Sequence, residues 1–181
     1  MSDAPIIHDA FLAAARELSD DLHAALRAVG PVEFAADRSQ PLPERLCRAV
    51  VGQQLSVKAA GTIWRRLREQ AAGRPLVEHA AGADADALRA CGLSGAKTKT
   101  VKAIARASAE GRLCADTLAA LPPETRKHRL VETPGVGPWT ADMLNIFWFG
   151  ERDIWPDGDV AARKTFQRLI GPRRKTIVNA R

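Results

Sequence analysis

Apolar residues recur at three- and four-residue steps along most of this chain, and nowhere alternate with polar ones at the two-residue step of a strand. Phe11, Leu12, Ala15, Leu18, Leu22, Leu26 and Val29 form one such stripe, which predicts a single amphipathic helix over residues 9–29, stopped by Gly30-Pro31. Pro41 and Pro43 open a second segment, in which Leu46, Val50 and Val51 keep helical spacing up to Gly52. Gly52-Gln53-Gln54-Leu55-Ser56 interrupts it. Ser56 then suits the N-cap of a helix that carries Ile63, Trp64 and Leu67 towards Gly73. A short helix from Asp84 ends at Cys91-Gly92, where the glycine fits the position just past a helix end. Leu93-Ser94-Gly95-Ala96-Lys97 leads into a helix with Val101, Ile104 and Ala105 on one side. Pro122-Pro123-Glu124 starts another, running to Glu132, and Pro138 fits the first turn of the next. That helix, over 139–149, is apolar on almost every face and is expected to be buried and central. A last helix from Asp159 carries Val160, Phe166, Leu169 and Ile170, followed by the basic residues Arg173, Arg174 and Lys175. With no strand alternation, heptad series, repeat or low-complexity segment, the fold class is all-α, a compact multi-helix fold.

At 181 residues the chain is long enough to bury a real core, as one domain or two tightly packed lobes. Lys and Arg number 27 against 21 Asp and Glu, a formal charge of +6 that favours polyanionic partners. Cys47, Cys91 and Cys114 have neither metal-ligand nor disulfide-framework spacing, and are expected to be reduced, mostly packed thiols. No run approaches the ~18 apolar residues of a membrane span. The opening Met-Ser-Asp-Ala-Pro lacks the basic and apolar regions of a secretory signal. A cytosolic or nucleoid location is expected, or a nuclear one if the source is eukaryotic, with no export and no membrane partner.

Two stretches carry chemistry. In Thr133-Pro134-Gly135-Val136-Gly137-Pro138-Trp139-Thr140-Ala141 the first glycine permits positive φ and the second allows another backbone to come close. Residues 121–149 thus read as helix, hairpin, helix. The N–H groups of Gly135, Gly137, Trp139 and Thr140 can converge on an anion, reinforced by the positive end of the following helix. Arg126, Lys127, His128 and Arg129 crowd the helix before it. Further upstream, Lys97, Lys99 and Lys102 lie near a helix start, where cations oppose the macrodipole; a bound anion would relieve that conflict, and so would solvation. The second stretch is Asp153-Ile154-Trp155-Pro156-Asp157-Gly158-Asp159. Of its carboxylates, Asp159 is nearest the next helix, where the dipole favours an ionised group and where a plain N-cap would also sit.

Four blocks in order carry a resemblance: residues 52–60 from Gly52-Gln53-Gln54, Gly92-Leu93-Ser94 with Lys97, the Pro-Gly-Val-Gly-Pro-Trp block, and Asp153 through Asp159. Over residues 46–166 the chain resembles the helix-hairpin-helix DNA glycosylases, and within them the 3-methyladenine-DNA glycosylase II group of alkylation repair. The resemblance implies two helical lobes flanking a DNA and base cleft. It implies a hairpin that grips phosphate through Gly135, Gly137 and Thr140, and Asp159 as catalytic residue. Trp139 and Met143 would line the base pocket. Gln53, Gln54, Leu55 and Ser56 would form the loop that fills the gap left by a flipped base, and Ser94 with Lys97 a second clamp on DNA. Trp139 stands where bifunctional relatives carry a Schiff-base lysine, so a monofunctional enzyme without strand cleavage is implied. No iron–sulfur cysteines follow Asp159, no side-chain metal site is expected, and the only cofactor implied is a monovalent cation held by hairpin carbonyls.

The expected activity is excision of N-methylated purines such as 3-methyladenine from duplex DNA, in base excision repair, by a monomer. A non-catalytic helix-hairpin-helix module that binds DNA or scaffolds repair proteins is the alternative. The extra N-terminal β-rich domain of some relatives is not expected here. The segment with Trp, Pro and Arg that follows the last helix in relatives is expected to be missing from the chain's C-terminal end.

Overall fold

Every regular element among the described residues, 3–170 of the computed structural model, is helical. The expected basic stretch at Arg173, Arg174 and Lys175 lies outside them. The chain clusters into two units, one made from its two ends, up to Ala35 and from Pro156, and the other Ala36–Trp155.

The first unit begins with α1 (Ala4–Leu18) and α2 (Asp20–Val29). The single helix expected over 9–29 is therefore two. Ser19 is extended at φ −170° and ψ 134°, and its side-chain oxygen accepts from the Leu22 N–H at 3.4 Å. Asp20 and Asp21 occupy the first turn of α2, where the helix dipole favours them. An N-cap followed by two carboxylates thus overrides an apolar stripe that runs through without a gap. Phe11, Leu18 and Val29 of that stripe are exposed, while Ala15 is buried.

The second unit holds α3 (Leu42–Gly52), α4 (Val57–Ala71), α5 (Leu76–Gly82), α6 (Ala85–Ala90), α7 (Gly95–Ala109), α8 (Ala115–Ala119), α9 (Pro123–Val131) and α10 (Pro138–Leu144). α10 continues as one π-helical turn, Asn145–Phe149, closed by Gly150 at φ +87°. Ser56 caps α4 as expected, accepting from the Ala59 N–H at 3.2 Å. α5 and α8 have seven and five residues, too few to show a period in the sequence. α5 is instead fixed from outside: the buried Glu44 carboxylate on α3 accepts from the Val77 N–H at 3.0 Å and pairs with Arg68 at 3.3 Å.

Leu42, Leu46 and Val50 of α3, Leu67 of α4, Leu88 of α6, and Val101 and Ile104 of α7 form the buried core with Leu130 of α9. α7 sits at its centre, packed on α3, α5 and α6. The 139–149 helix is more peripheral than its composition suggests. It buries Ala141, Leu144, Trp148 and Phe149, but leaves Trp139 36% and Phe147 44% exposed while burying the polar Asp142 and Asn145.

Arg126 explains both the buried Asn145 and a correction to the basic cluster on α9. Its guanidinium is buried and donates to the carbonyls of Leu118 (2.9 Å), Ala119 (3.4 Å) and Leu121 (2.9 Å), to Asn145 Oδ1 (3.1 Å) and to Glu151 (2.8 Å). It also lies 4.1 Å from the Phe149 ring centroid. The run of cations that crowds α9 therefore includes a core residue. α11 (Val160–Ile170) returns to the first unit, packs on α2, and accepts a hydrogen bond from the Ser19 hydroxyl at the Leu169 carbonyl.

Candidate functional site

The hairpin between α9 and α10 is closed by two backbone bonds, Thr133 N–H to the Leu130 carbonyl (3.1 Å) and Val136 N–H to the Thr133 carbonyl (3.0 Å). Gly135 adopts φ +85°, as the turn requires. A second constraint was not visible in the sequence: a Cβ at Gly135 would lie 1.9 Å from Thr100 Oγ1, because the turn is seated directly on α7. Gly137 has ordinary φ −89°, and no protein atom approaches the place of a Cβ there. Its open side faces away from the protein. Among the described residues, the N–H groups of Gly135 and Gly137 have no acceptor. Pro138 occupies the first turn of α10, so its missing donor costs no helical bond. Beneath the turn, the Thr133 hydroxyl is buried without a hydrogen-bond partner among the described residues.

The rest of α9 contributes less free charge than its sequence suggests. Lys127 is paired with the buried Asp142 of α10 at 2.8 Å, which ties the two arms of the hairpin together. Arg129 reaches Glu132 at 3.4 Å, and His128 is exposed.

The loop between α3 and α4 is built against this hairpin. Gln53 turns inward, its Nε2 donating to Thr140 Oγ1 on α10 at 2.9 Å. The Lys97 ammonium of α7 donates to the carbonyls of Val51 (2.9 Å) and Gln53 (2.6 Å), satisfying the exposed end of α3. Burial holds its pKa below the usual lysine range. Ser94 caps α7, accepting from the Lys97 N–H at 3.3 Å, and Ser56 caps α4. Four of the side chains picked out in the sequence, Gln53, Ser56, Ser94 and Lys97, thus bond within the protein. Gln54 and Leu55 remain outward. Gln54 is held at φ +56°, Leu55 is exposed, and next to them Val57 is 92% exposed. Val57 escaped sequence reading because it begins a helix without belonging to its apolar stripe.

On α10, Trp139 is part-exposed at the helix start and Met143 is half-buried one turn later. Asp159 belongs to the other unit and starts α11. Its Oδ1 accepts from the Ala162 N–H at 2.9 Å, and its own N–H donates to the Pro156 carbonyl at 2.8 Å. This fixes the carboxylate at the positive end of an eleven-residue helix, whereas Asp157 is exposed on the turn before it. Among the described residues no group of three or more His, Cys, Asp or Glu could hold a metal ion, and no helix is long and apolar enough to cross a membrane.

Comparison with known proteins places this arrangement. The description of the HhH-GPD superfamily of base excision DNA repair proteins matches residues 47–179. The DNA-3-methyladenine glycosylase 1 of Schizosaccharomyces pombe is 34% identical over 129 residues, which cover 70% of this chain and 57% of that protein. This chain therefore spans little more than half the length of that relative. The solved structure of the Schizosaccharomyces pombe 3-methyladenine DNA glycosylase in complex with abasic DNA superposes with a TM-score of 0.70 at 30% identity, covering 86% of this chain and 79% of that one. The DNA-3-methyladenine glycosidase of Bacillus halodurans gives 0.75 at 26% identity, covering 90% and 73%.

Proposed function

The chain belongs to the HhH-GPD superfamily of base excision DNA repair proteins, and from that premise we propose that it is a monofunctional DNA glycosylase that removes N-methylated purines such as 3-methyladenine from duplex DNA. The observation that carries the reading is the hairpin with its loop. In the turn before α10 two glycine N–H groups have no acceptor among the described residues, and the outward Gln54 and Leu55 project from a loop that Gln53 bonds to α10. One part suits a phosphate and the other a gap in the stack. The similar Schizosaccharomyces pombe protein was solved with abasic DNA, which supports the same partner here.

In the proposed mechanism the turn at Gly135 and Gly137, with Thr140, holds a backbone phosphate. The damaged nucleotide leaves the stack, and Gln54 or Leu55 occupies its place. Trp139 offers a ring face to the electron-poor alkylated base, with Met143 one turn away. Cleaving the N-glycosidic bond develops positive charge on the sugar. The carboxylate of Asp159, held by the α11 N-terminus, stabilises that charge more in the transition state than in the ground state and orients the attacking water. A cationic alkylated purine leaves without a strong general acid. With Trp139 in place of an amine nucleophile there is no Schiff base to form, so the product is an abasic site in an intact strand. The buried Thr133 hydroxyl and the turn carbonyls are hard oxygen donors of the kind a monovalent cation takes, and such an ion would add positive charge beneath the phosphate.

The test incubates the protein with methylated duplex DNA and measures released base, comparing wild type with Asp159→Asn. Release by wild type and its loss in the variant is the expected result. Equal release by both would remove Asp159 from the mechanism. Intact DNA binding without any release would favour a non-catalytic binding module, and nicking without heat or base would contradict the reading of Trp139.

A further inference from the structure

Beyond Lys97, α7 carries Lys99, Lys102 and Arg106 at steps of three and four residues, so all three share one face of the helix. With Arg112, Glu132 and Pro134 they line a cavity of ≈ 690 Å³ beside the hairpin turn. Its charge is lopsided. Lys99 and Arg106 have no hydrogen-bond or ion-pair partner among the described residues. Lys102 spends one N–H on the Ala83 carbonyl at 2.6 Å and keeps its charge uncompensated. Arg112 is neutralised by Glu110 at 2.7 Å, and Glu132 is shared with Arg129.

We infer that this row takes backbone phosphates of the same duplex, next to the phosphate held by the hairpin, and so extends the DNA footprint along α7. The inference rests on the functional reading above. Three features favour a nucleic-acid backbone over a small anionic ligand. The row is linear: at 1.5 Å per residue, Lys99 and Arg106 are about 10 Å apart along the helix, and one strand of duplex carries a charge about every 3.4 Å of its axis. Among the described residues no aromatic ring lines the cavity to stack a base. The row also abuts Pro134, and the next residue, Gly135, is seated on Thr100 of α7 without space for a methyl group. Row and turn are thereby parts of one rigid surface, and a duplex registered by the turn is registered along the row.

The experiment measures the dissociation constant for an undamaged and a methylated duplex as a function of salt. Wild type is compared with Lys99→Gln/Arg106→Gln and with a charge-matched control, Arg65→Gln/Arg89→Gln. Each phosphate contact contributes about 0.9 to the log–log salt slope. The row variant is expected to lose about 1.8 of slope on both duplexes. The control should keep most of its slope. A wild-type slope in the row variant, or an equal loss in the control, overturns the inference while leaving the glycosylase reading standing. Failure of the wild type to bind either duplex removes the functional reading and this inference with it.

Discussion

The seat of Gly135 on Thr100 makes a quantitative prediction for Gly135→Ala. An alanine at φ +85° adopts a left-handed conformation at a cost of roughly 1–2 kcal/mol. Its Cβ would also lie 1.9 Å from Thr100 Oγ1 and 2.9 Å from both Cβ and Cγ2 of that residue. Thr100 has little room to give: it is buried, its χ1 is stiff, and its hydroxyl donates to the Ala96 carbonyl at 3.1 Å. Forcing a methyl group into such packing costs about 1–3 kcal/mol more. The sum, roughly 2–5 kcal/mol, is a large share of a native stability of about 5–15 kcal/mol, and at this chain length it lowers Tm by roughly 5–20 °C. Calorimetry and urea unfolding would measure it. A double-mutant cycle separates the two contributions. Thr100→Ala removes the atoms at Oγ1 and Cγ2 but leaves φ unchanged, so the pair should be less destabilised than the sum of its parts by about 1–2 kcal/mol. Gly135→Asn, which tolerates positive φ but keeps a Cβ, should recover little. A Gly135→Ala protein within about 0.5 kcal/mol of wild type, or additive behaviour in the cycle, would refute the close seating of the turn on α7.

Lys97→Met should cost about 1–2 kcal/mol, from two charge-assisted bonds to carbonyls that water partly replaces, and should speed hydrogen exchange at Gln54 and Leu55; unchanged exchange would mean that the ammonium does not order that loop. Arg126→Met leaves Asn145 and Glu151 without their cation, and should cost about 3 kcal/mol of stability, read as a lower urea midpoint with little change in m-value, whereas a loss typical of surface sites would place Arg126 in solvent. Of the three cysteines, Cys114 alone should react with a thiol reagent in the native protein. Hydrogen bonds from Thr117 hold its pKa below the usual thiol value, so its labelling rate should reach half its plateau at a lower pH than that of a free thiol, while burial raises the pKa of Cys47 and Cys91 and protects them.

Local chemistry was the legible part of this chain. Ser56, Ser94, Pro138 and Asp159 stand at helix starts because each satisfies or avoids an unpaired N–H within its own first turn, and Gly135 marks the position in the hairpin turn that takes positive φ. What the sequence hid was long-range. Arg126 and Lys127 look like their exposed neighbours until the carbonyls of 118–121 and the carboxylate of Asp142 close around them. The bond from Gln53 to Thr140 spans 87 residues, and that from Lys97 to Val51 spans 46. Composition also misplaced the centre of the fold. The 139–149 helix is richer in large apolar side chains, yet α7 is packed on α3, α5 and α6 and buries Thr98, Thr100, Ala105 and Ala107 beside Val101 and Ile104.

The anchoring of Arg126 has a consequence for how the chain tolerates change in length. Three of its bonds are to carbonyls within 118–121, the end of α8 and the start of the short connection to α9, at the opposite end of α9 from the hairpin turn. Inserting or deleting one residue there would swing those carbonyls off the guanidinium. The strain would pass through Asn145 and Phe149 to the end of α10. A short stretch with no chemistry of its own is therefore one of the poorest places in this protein to graft a tag or accept an indel, and natural length variation should fall elsewhere.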